Sequence, residues 1–160
     1  MEKASEKELY RFPEVFIQLV QQPSQKLQEP IDNERKATDY MCTLLSCRTV
    51  ENLAIVTVDS RIRPINYSII SRGTVDQACY SPSEIIRLAI LSNAAGILIY
   101  HNHPSGVPSP SLCDDIAAEN IWKCTQLFHI ILHDFIILGN QNNYYSYRSE
   151  ERGPFSQKNC

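Results

Sequence analysis

The sequence predicts a layered α/β or α+β domain in which a mixed sheet is flanked by helices. The expected elements follow the order α, β, β, α, β, α, β, β, which is typical of such a domain. The run AAGILIY (94–100) is almost wholly apolar, as expected of a strand buried on both faces. Hydrophobic residues make up 43% and charged residues 21% of the 160, so the chain is globular and can bury one sizeable core.

The first clear element is a helix that begins near Asn33. Upstream, 13–23 carries a short apolar stripe between prolines that predicts a peripheral helix, and the polar stretch 24–33 predicts a linker. The longer helix is expected to use Asp32 or Asn33 as its N-cap. Its apolar residues recur at helical spacing: Ala37, Tyr40, Met41, Leu44 and Leu45.

The next segments predict a β-hairpin followed by a capped helix. NLAIVTVDS (52–60) and INYSIIS (65–71) are apolar and β-branched, as expected of paired strands. In SPSE, Ser81 is expected to cap, Pro82 to take the first helical position and Glu84 to complete a capping box. The buried face of this helix is expected to comprise Ile85, Ile86, Leu88, Ala89 and Leu91.

Three further elements are expected after the buried strand. A helix runs from Ser111 to about Thr125, and HIILHDFIILG (129–139) forms one long strand or two. A turn at NQNN then leads to a last short strand in YYSYRSEE.

The charge of the chain argues against binding to nucleic acid, and the lack of a long apolar run argues against a membrane span. The net charge is −3 and the pI about 5.8, whereas proteins that grip phosphates usually carry a basic stripe. A small basic patch remains open, with Arg61, Arg63 and Arg72 as candidates. No apolar run reaches the length of a membrane span, and the charged start MEKASEKELYRF lacks the apolar core of a signal peptide. We therefore expect a cytoplasmic protein.

The six cysteines form no CxxC pair, so we expect small buried hydrophobes rather than a disulfide framework. Cys113 lies within the motif described next and could compete for a metal, but burial on the helix is expected. The set is Cys42, Cys47, Cys79, Cys113, Cys124 and Cys160.

The segment HNHPSGVPSPSLCDD (101–115) carries the residues that point to chemistry. Alternation along a strand puts His101 and His103 on one face, with Asn102 opposite. A stiff loop with three prolines leads to Ser111 and Asp114 on the first turn of a helix. Two imidazoles and a carboxylate around an open position are the pattern of a catalytic zinc site.

Simpler interpretations of these residues stay open on spacing alone. Histidines in an HxH pattern are often structural or surface residues. Ser111 and Asp114 are also what an ordinary capped helix start contains. The letters HNH also match the name of a nuclease motif, but that motif spreads its residues over separate elements.

The full pattern HxHx7SxxD resembles the JAMM signature of metal-dependent peptidases with the JAB/MPN fold. The wider context is similar to the RadC-like branch of that family over about 33–150, in the stretches RGTVDQA, NAAGILIYHNHPSG, PSPSLCDD, HDFIILG and YYSY. The resemblance implies an α/β fold with a curved mixed sheet flanked by helices, in a cytidine-deaminase-like layered architecture. It divides the chain into an N-terminal extension (1–32), a JAB/MPN metallohydrolase domain (33–150) and a C-terminal tail (151–160).

The resemblance also implies roles for individual residues. One Zn²⁺ ion with a bound water would be held by His101, His103 and Asp114. A glutamate that precedes the strand after the first helix acts as general base in the family, and the matching position is Glu51. Ser111 would support the oxyanion. Glu84 is a fallback base, although the capping box explains it better.

Two departures from the family pattern limit what carries over. Members commonly have Asp-His where this sequence has Asp134-Phe135, so Asp134 could either steady a ligating histidine or hold a strand bend. His129 and His133 have no supporting spacing and are not expected to be ligands. Full-length relatives also carry a helix-hairpin-helix region, and the sequence before the domain has none of its glycine-rich hairpins.

Three functions remain in competition. The first is a zinc-dependent hydrolase of peptide or isopeptide bonds, acting on an unidentified peptide or protein. The second is a non-catalytic MPN-type scaffold that docks to a partner. The third is a RadC-like protein of DNA repair that acts on nucleic acid, which the charge does not favour. Exposed strand edges in this fold also suggest a homodimer.

Overall fold

The computed structural model describes residues 29–45, 49–73, 80–140 and 143–156, which form a five-stranded mixed sheet flanked by three α-helices. The predicted fold class and the predicted order of elements are confirmed. Of the described helices, none has the length and apolar character needed to cross a membrane. In chain order the elements are α1 (Glu34–Leu45), β1 (Asn52–Val58), β2 (Pro64–Arg72), α2 (Pro82–Leu91), β3 (Gly96–Asn102), α3 (Leu112–Leu127), β4 (Ile131–Leu138), β5 (Tyr144–Ser146) and a 3₁₀ turn (Gly153–Phe155).

Strand β3 lies at the centre of the sheet, whose strand order is β2-β1-β3-β4-β5. It pairs antiparallel with β1 and parallel with β4, and α3 provides the crossover that a parallel pair requires. The antiparallel pairs β1–β2 and β4–β5 extend the sheet on either side. All seven residues of β3 are buried, which confirms the strand predicted at 94–100.

The two faces of the sheet bury separate cores. Alternate residues of β3 point to opposite faces, so Ile97 and Ile99 pack with α2 and α3. Leu98 and Tyr100 pack on the other face with α1. Because a fully buried side chain of this size contributes about 1.5–3 kcal/mol, both cores hold β3 in place.

Helix α1 begins where the sequence predicts and is capped by the second of the two candidates. The Asn33 side chain accepts a hydrogen bond from the Lys36 backbone N–H at 2.9 Å, whereas Asp32 pairs with the Lys36 ammonium group. The predicted helix at 13–23 and the first half of the linker (24–28) lie outside the described residues, as do Cys47, Cys79 and Cys160. Of the predicted apolar residues, Ala37, Met41 and Leu45 are buried.

The predicted capping box of α2 is wrong. Ser81 is the N-cap residue and Pro82 begins the helix, but the Ser81 side chain makes no capping hydrogen bond. Its hydroxyl lies 2.7 Å from the Ser83 hydroxyl, a local bond that takes the place of the one to Glu84. The predicted buried face is mostly correct: Ile85, Ile86 and Ala89 are buried, and Leu88 and Leu91 are partly exposed.

The loop that follows β3 packs directly against the end of β4. The His103 backbone N–H donates to the Leu138 carbonyl and the Asn140 N–H donates to the Gly106 carbonyl, both at 3.0 Å. A Cβ on Gly139 would lie 2.5 Å from the Gly106 carbonyl oxygen, and one on Gly106, where φ is +79°, would collide with the Asn140 side chain. Two glycines therefore permit the close contact that holds this loop.

Asp134, in the middle of β4, is a buried carboxylate that anchors the turn after β5. The Ser146 hydroxyl donates to Asp134 Oδ2 at 2.6 Å, and the Phe135 and Arg148 backbone N–H groups donate to Oδ1 at 2.7 and 3.0 Å. Burial raises the pKa of Asp134 to about 6, although these hydrogen bonds act in the opposite direction. Of the two roles considered for Asp134, these contacts match the structural one.

We expect the stabilising effect of Asp134 to depend on pH. Because its pKa is higher in the folded than in the unfolded protein, its contribution is fully present below pH 3.8 and is lost as the pH rises to about 6. The difference in the free energy of unfolding between the wild type and Asp134→Asn should therefore fall by about 2 kcal/mol between pH 4 and pH 7. Urea unfolding at both pH values measures it, and a constant difference would contradict the raised pKa.

We expect Gly139→Ala to loosen the loop after β3, because the new Cβ would meet the Gly106 carbonyl and, at 2.9 Å, the Cδ of Pro108. The amide of His103 should then exchange its hydrogen about tenfold faster. Gly153→Ala is the control, since φ there is +56° but a Cβ would lie 3.7 Å from the nearest Tyr147 ring atom. Equal exchange rates at His103 in both variants would refute the packing argument.

Candidate metal centre

Two histidines lie at the end of β3, on the sheet face that α2 and α3 cover. His101 is the second-last residue of the strand and is 8% exposed, and His103 directly follows the strand. Their ring centroids are 5.0 Å apart and their planes are nearly perpendicular, at 89°. The two imidazoles therefore face the same space, as strand alternation predicts.

The first turn of α3 places a carboxylate opposite the histidines. Ser111 is the N-cap of the helix, and its side chain accepts a hydrogen bond from the Asp114 N–H at 3.2 Å. The Asp114 side chain returns the contact, accepting from the Ser111 N–H at 2.8 Å. This capping box fixes the Asp114 side chain over the helix N-terminus, where a negative charge is stabilised. The ordinary interpretation of these two residues as a helix cap is thus also correct.

The three side chains converge on one point. His101 Nδ1 lies 2.7 Å from Asp114 Oδ1, and His103 Nε2 lies 3.4 Å from Asp114 Oδ2. One ligand atom from each of His101, His103 and Asp114 lies within 4.8 Å of the others. Asp114 is only 3% exposed, so this cluster is largely withdrawn from water.

Hydrogen bonds keep Asp114 ionised despite its burial. Burial alone would raise the pKa of this carboxyl, but the bonds from His101, His103 and Ser111 outweigh it and lower the pKa far below 3.8. The bond to Asp114 in turn raises the pKa of His103, against the effect of burial. The cluster therefore presents a fixed negative charge beside two imidazoles, which suits a divalent cation.

The hydrogen-bond partners of the histidine ring nitrogens show whether this site fits a metal ion. The Val107 carbonyl can only accept, so His103 Nδ1 donates to it at 2.9 Å, and His103 Nε2 faces Asp114 at 3.4 Å, where a cation would take the place of the Nε2 proton. His101 Nε2 is buried and has no hydrogen-bond partner among the described residues. A buried polar atom without a partner is costly, and a cation would supply one. The donor set fits zinc.

Glu51 lies beside this cluster, at the position that the family resemblance indicates. It precedes β1, where Leu53 pairs with His101, so alternation directs its side chain to the same sheet face. Glu51 Oε2 is 3.9 Å from His101 Nε2, and its side chain is 17% exposed. This distance is too long for a direct hydrogen bond, so the carboxylate and the imidazole face one another across a gap.

The structure keeps the other candidates away from the cluster. Glu84 is exposed on α2, and the hydrogen bonds of Asp134 are those of the β5 turn. His129 is exposed after α3. Burial lowers the pKa of His133, whose ring lies beside Gly96 at the other end of β3. Across the described ranges, only His101, His103 and Asp114 form a group of three or more histidine, cysteine or carboxylate side chains close enough to share a metal ion.

The expected burial of Cys113 is wrong. Cys113 is exposed, although the adjacent Asp114 is buried. It occupies the second position of α3, and successive residues on a helix point in different directions. Of the other described cysteines, Cys42 is buried and Cys124 partly so.

Of the three arginines considered for a basic patch, two lie far from the cluster. Arg61 and Arg63 belong to the turn between β1 and β2, at the opposite end of β1 from Glu51. Arg63 is also paired with Asp59, at 2.6 Å. Arg72 alone, at the end of β2, lies at the same end of the sheet as the cluster.

Sequence reasoning missed two sets of supporting contacts. The Val107 carbonyl that orients His103 leaves no signal in a sequence, because any residue supplies a carbonyl. Asp115 accepts hydrogen bonds from Nε and Nη2 of Arg152, at 2.7 and 2.8 Å, and from the Tyr147 hydroxyl. These bonds tie the start of α3 to the segment that follows β5. The sequence shows the two adjacent aspartates, but nothing in it indicates that Asp115 binds Arg152 and Tyr147.

Comparison with known proteins agrees with this architecture. A family model described as the RadC-like JAB domain matches residues 31–153. A UPF0758 protein of Histophilus somni is 36% identical over 111 residues, which is 69% of this chain and 50% of that protein. A UPF0758 protein of Thermotoga maritima is 29% identical over 126 residues, which is 79% of this chain and 56% of that protein.

The chain thus spans about half the length of the curated relatives that it matches. The family resemblance seen in the sequence is confirmed, since the family model covers the entire sheet and all three helices. The protein therefore belongs to the RadC-like JAB domain family.

Proposed function

We propose that this protein is a zinc-dependent hydrolase that cleaves peptide or isopeptide bonds in an unidentified peptide or protein. The observation that carries the proposal is the convergence of His101, His103 and Asp114, together with the buried His101 Nε2, which has no hydrogen-bond partner in the part of the chain that the structure describes. Membership of the JAB domain family, which includes hydrolases, supports it. The family alone does not specify the substrate.

In this proposal, His101, His103 and Asp114 hold one zinc ion through two imidazole nitrogens and a carboxylate oxygen. When bound, zinc supplies a Lewis acid that polarises a carbonyl and lowers the pKa of water to about 7. Asp114 is the ligand already held by its own helix, through the N–H and hydroxyl of Ser111 at 2.8 and 2.6 Å. The Val107 carbonyl fixes the ring of His103.

Glu51 is the proposed general base. Its carboxylate faces the cluster across 3.9 Å from His101 Nε2, so a water molecule beside these two groups lies within hydrogen-bonding reach of Glu51. Glu51 accepts a proton from the attacking water and then delivers it to the nitrogen of the leaving amine. The same carboxylate can serve both steps because it faces the cluster and its side chain is 17% exposed.

Ser111 is the proposed donor to the oxyanion. Its hydroxyl at present donates to Asp114 Oδ2 at 2.6 Å. To stabilise the developing charge on the substrate carbonyl, it would exchange that bond for one to the oxyanion, while its backbone N–H continues to bond Asp114. The helix N-terminus would add a favourable partial charge.

The family assignment fits a RadC-like protein at least as well as a hydrolase, so the choice between the competing functions rests on the geometry of the site. A pure scaffold explains the helix cap, but it does not require a carboxylate at Glu51 that faces the cluster. A nucleic-acid enzyme would benefit from a positive surface near the cluster, and of the three candidate arginines only Arg72 lies at that end of the sheet.

We expect the purified protein to bind one zinc ion per chain. His103→Ala should lower the zinc affinity by at least about 100-fold, because it removes a ligand. His129→Ala is a matched control, since this histidine is exposed and outside the cluster. Metal analysis and competition with a chelator measure both. A wild-type protein that takes up no zinc would refute the proposed function.

We expect Glu51→Gln to separate metal binding from catalysis. The variant should keep its zinc but lose hydrolysis by about 10²–10⁴-fold, because the amide cannot accept the proton. Activity would be measured on a panel of peptide and isopeptide substrates, with Glu84→Gln as a control for an exposed glutamate. Full activity in Glu51→Gln would assign the base elsewhere. If the zinc-loaded wild-type protein hydrolyses no substrate of the panel, the result would favour the non-catalytic scaffold.

A further inference from the structure

Two buried asparagines join the start of β1 to the end of β3. Asn102 Oδ1 accepts hydrogen bonds from both the backbone N–H and the side-chain amide of Asn52, at 2.9 and 3.0 Å. The amides of Asn102 and Asn52 both donate to the Val50 carbonyl, at 3.1 and 2.7 Å. Asn52 and Asn102 are each 1% exposed. We call this arrangement of four hydrogen bonds the amide clasp.

The amide clasp binds the two sequence neighbours of Glu51. It binds the residue before Glu51, through the Val50 carbonyl, and the residue after it, through both amides of Asn52. The Glu51 carbonyl is held separately by the Gly73 N–H at 2.9 Å. The backbone that carries the proposed base is therefore fixed on both sides, although Glu51 itself lies just outside β1.

The other partner in the amide clasp is the residue between the two proposed histidine ligands. Asn102 points away from His101 and His103, into the opposite face of the sheet. The two histidines have their own supports, which are Asp114 for His101 and the Val107 carbonyl for His103. The Asn102 side chain therefore acts on the segment of the base and not on the ligands.

We propose that Asn102 is a positioning residue that sets the distance between the Glu51 carboxylate and the proposed metal ligands His101, His103 and Asp114. This inference rests on the proposed role of Glu51. The asparagine amide suits the task because it donates and accepts at once, and thus binds a carbonyl and an N–H of the same segment. Because each of its polar atoms has a partner, burial of Asn102 stabilises one arrangement of the segment.

The chain contains a matched control at the other end of the same sheet. The Asn66 side chain also bridges two elements, accepting from the Thr57 hydroxyl at 2.9 Å and donating to the Ser92 hydroxyl at 2.8 Å. Thr57 pairs with Ile97, at the start of β3, far from the cluster. Asn66→Ala removes a comparable bridge without touching the Glu51 segment.

The first measurement needs no metal. In Asn102→Ala, the amide of Asn52 loses its acceptor and should exchange its hydrogen about tenfold faster, whereas the amides of β4 should keep their rates. Asn66→Ala should leave the Asn52 rate unchanged. If Asn102→Ala does not fold, Asn52→Ala removes two of the four bonds of the clasp and should disturb Val50 and Glu51 in the same way, to a smaller extent.

The second measurement uses Co²⁺ as a spectroscopic probe of the proposed metal site. Asn102→Ala should retain its Co²⁺ affinity within about threefold, well short of the loss of about 100-fold expected for a missing ligand. Its visible absorption spectrum should change as in Glu51→Gln, and the double variant should show no further change. Asn66→Ala should give the wild-type spectrum.

Two results would overturn the proposal. One is a wild-type spectrum and a wild-type Asn52 exchange rate in Asn102→Ala, which would show that the clasp does not position Glu51. The other is loss of Co²⁺ from Asn102→Ala, which would place its effect on the ligands. A wild-type protein that takes up neither Co²⁺ nor Zn²⁺ refutes the proposed function instead, and the exchange rates then decide whether the clasp holds the segment.

Discussion

The contact between the Asp114 carboxylate and the two imidazoles is the interaction on which the rest of the site depends. A buried carboxylate is expensive unless it is bonded, and Asp114 is bonded by His101, His103 and its own helix cap. The cap holds the carboxylate to the N-terminus of α3, and α3 is the crossover between β3 and β4. The cluster therefore forms only when the parallel pair and its connecting helix are both in place.

The sheet separates the support of the ligands from the support of the proposed base. On one face, α3 brings Asp114 to the histidines. On the other face, the amides of Asn52 and Asn102 lie beneath the segment that carries Glu51. Both supports meet at one end of the central strand, so a small movement of β3 would disturb them together. The two apolar cores that enclose β3 oppose such a movement.

Position 135 illustrates how a departure from the family pattern can leave the site intact. Phe135 is fully buried and packs edge-on against Tyr147, with ring centroids 5.1 Å apart. Tyr147 in turn donates to Asp115, beside Asp114. Burial, together with the hydrogen bond to Asp115, raises the pKa of the Tyr147 hydroxyl far above its usual range. The Phe135 ring thus supports the start of α3 indirectly. It packs against Tyr147, which binds Asp115, and no polar side chain at position 135 is needed for this contact.

The order of the elements, the buried central strand and the four polar residues of the HxHx7SxxD pattern could be predicted from the amino-acid sequence, because periodicity and spacing are local properties. Glu51 was found only through the family resemblance, since a lone glutamate before a strand has no distinguishing pattern. Tertiary structure decided the rest. It paired Asn52 with Asn102 across fifty residues, exposed Cys113 and gave the carboxylate of Asp134 to the β5 turn. These outcomes depend on which strands become neighbours, and strand neighbours are set by the packing of the whole chain.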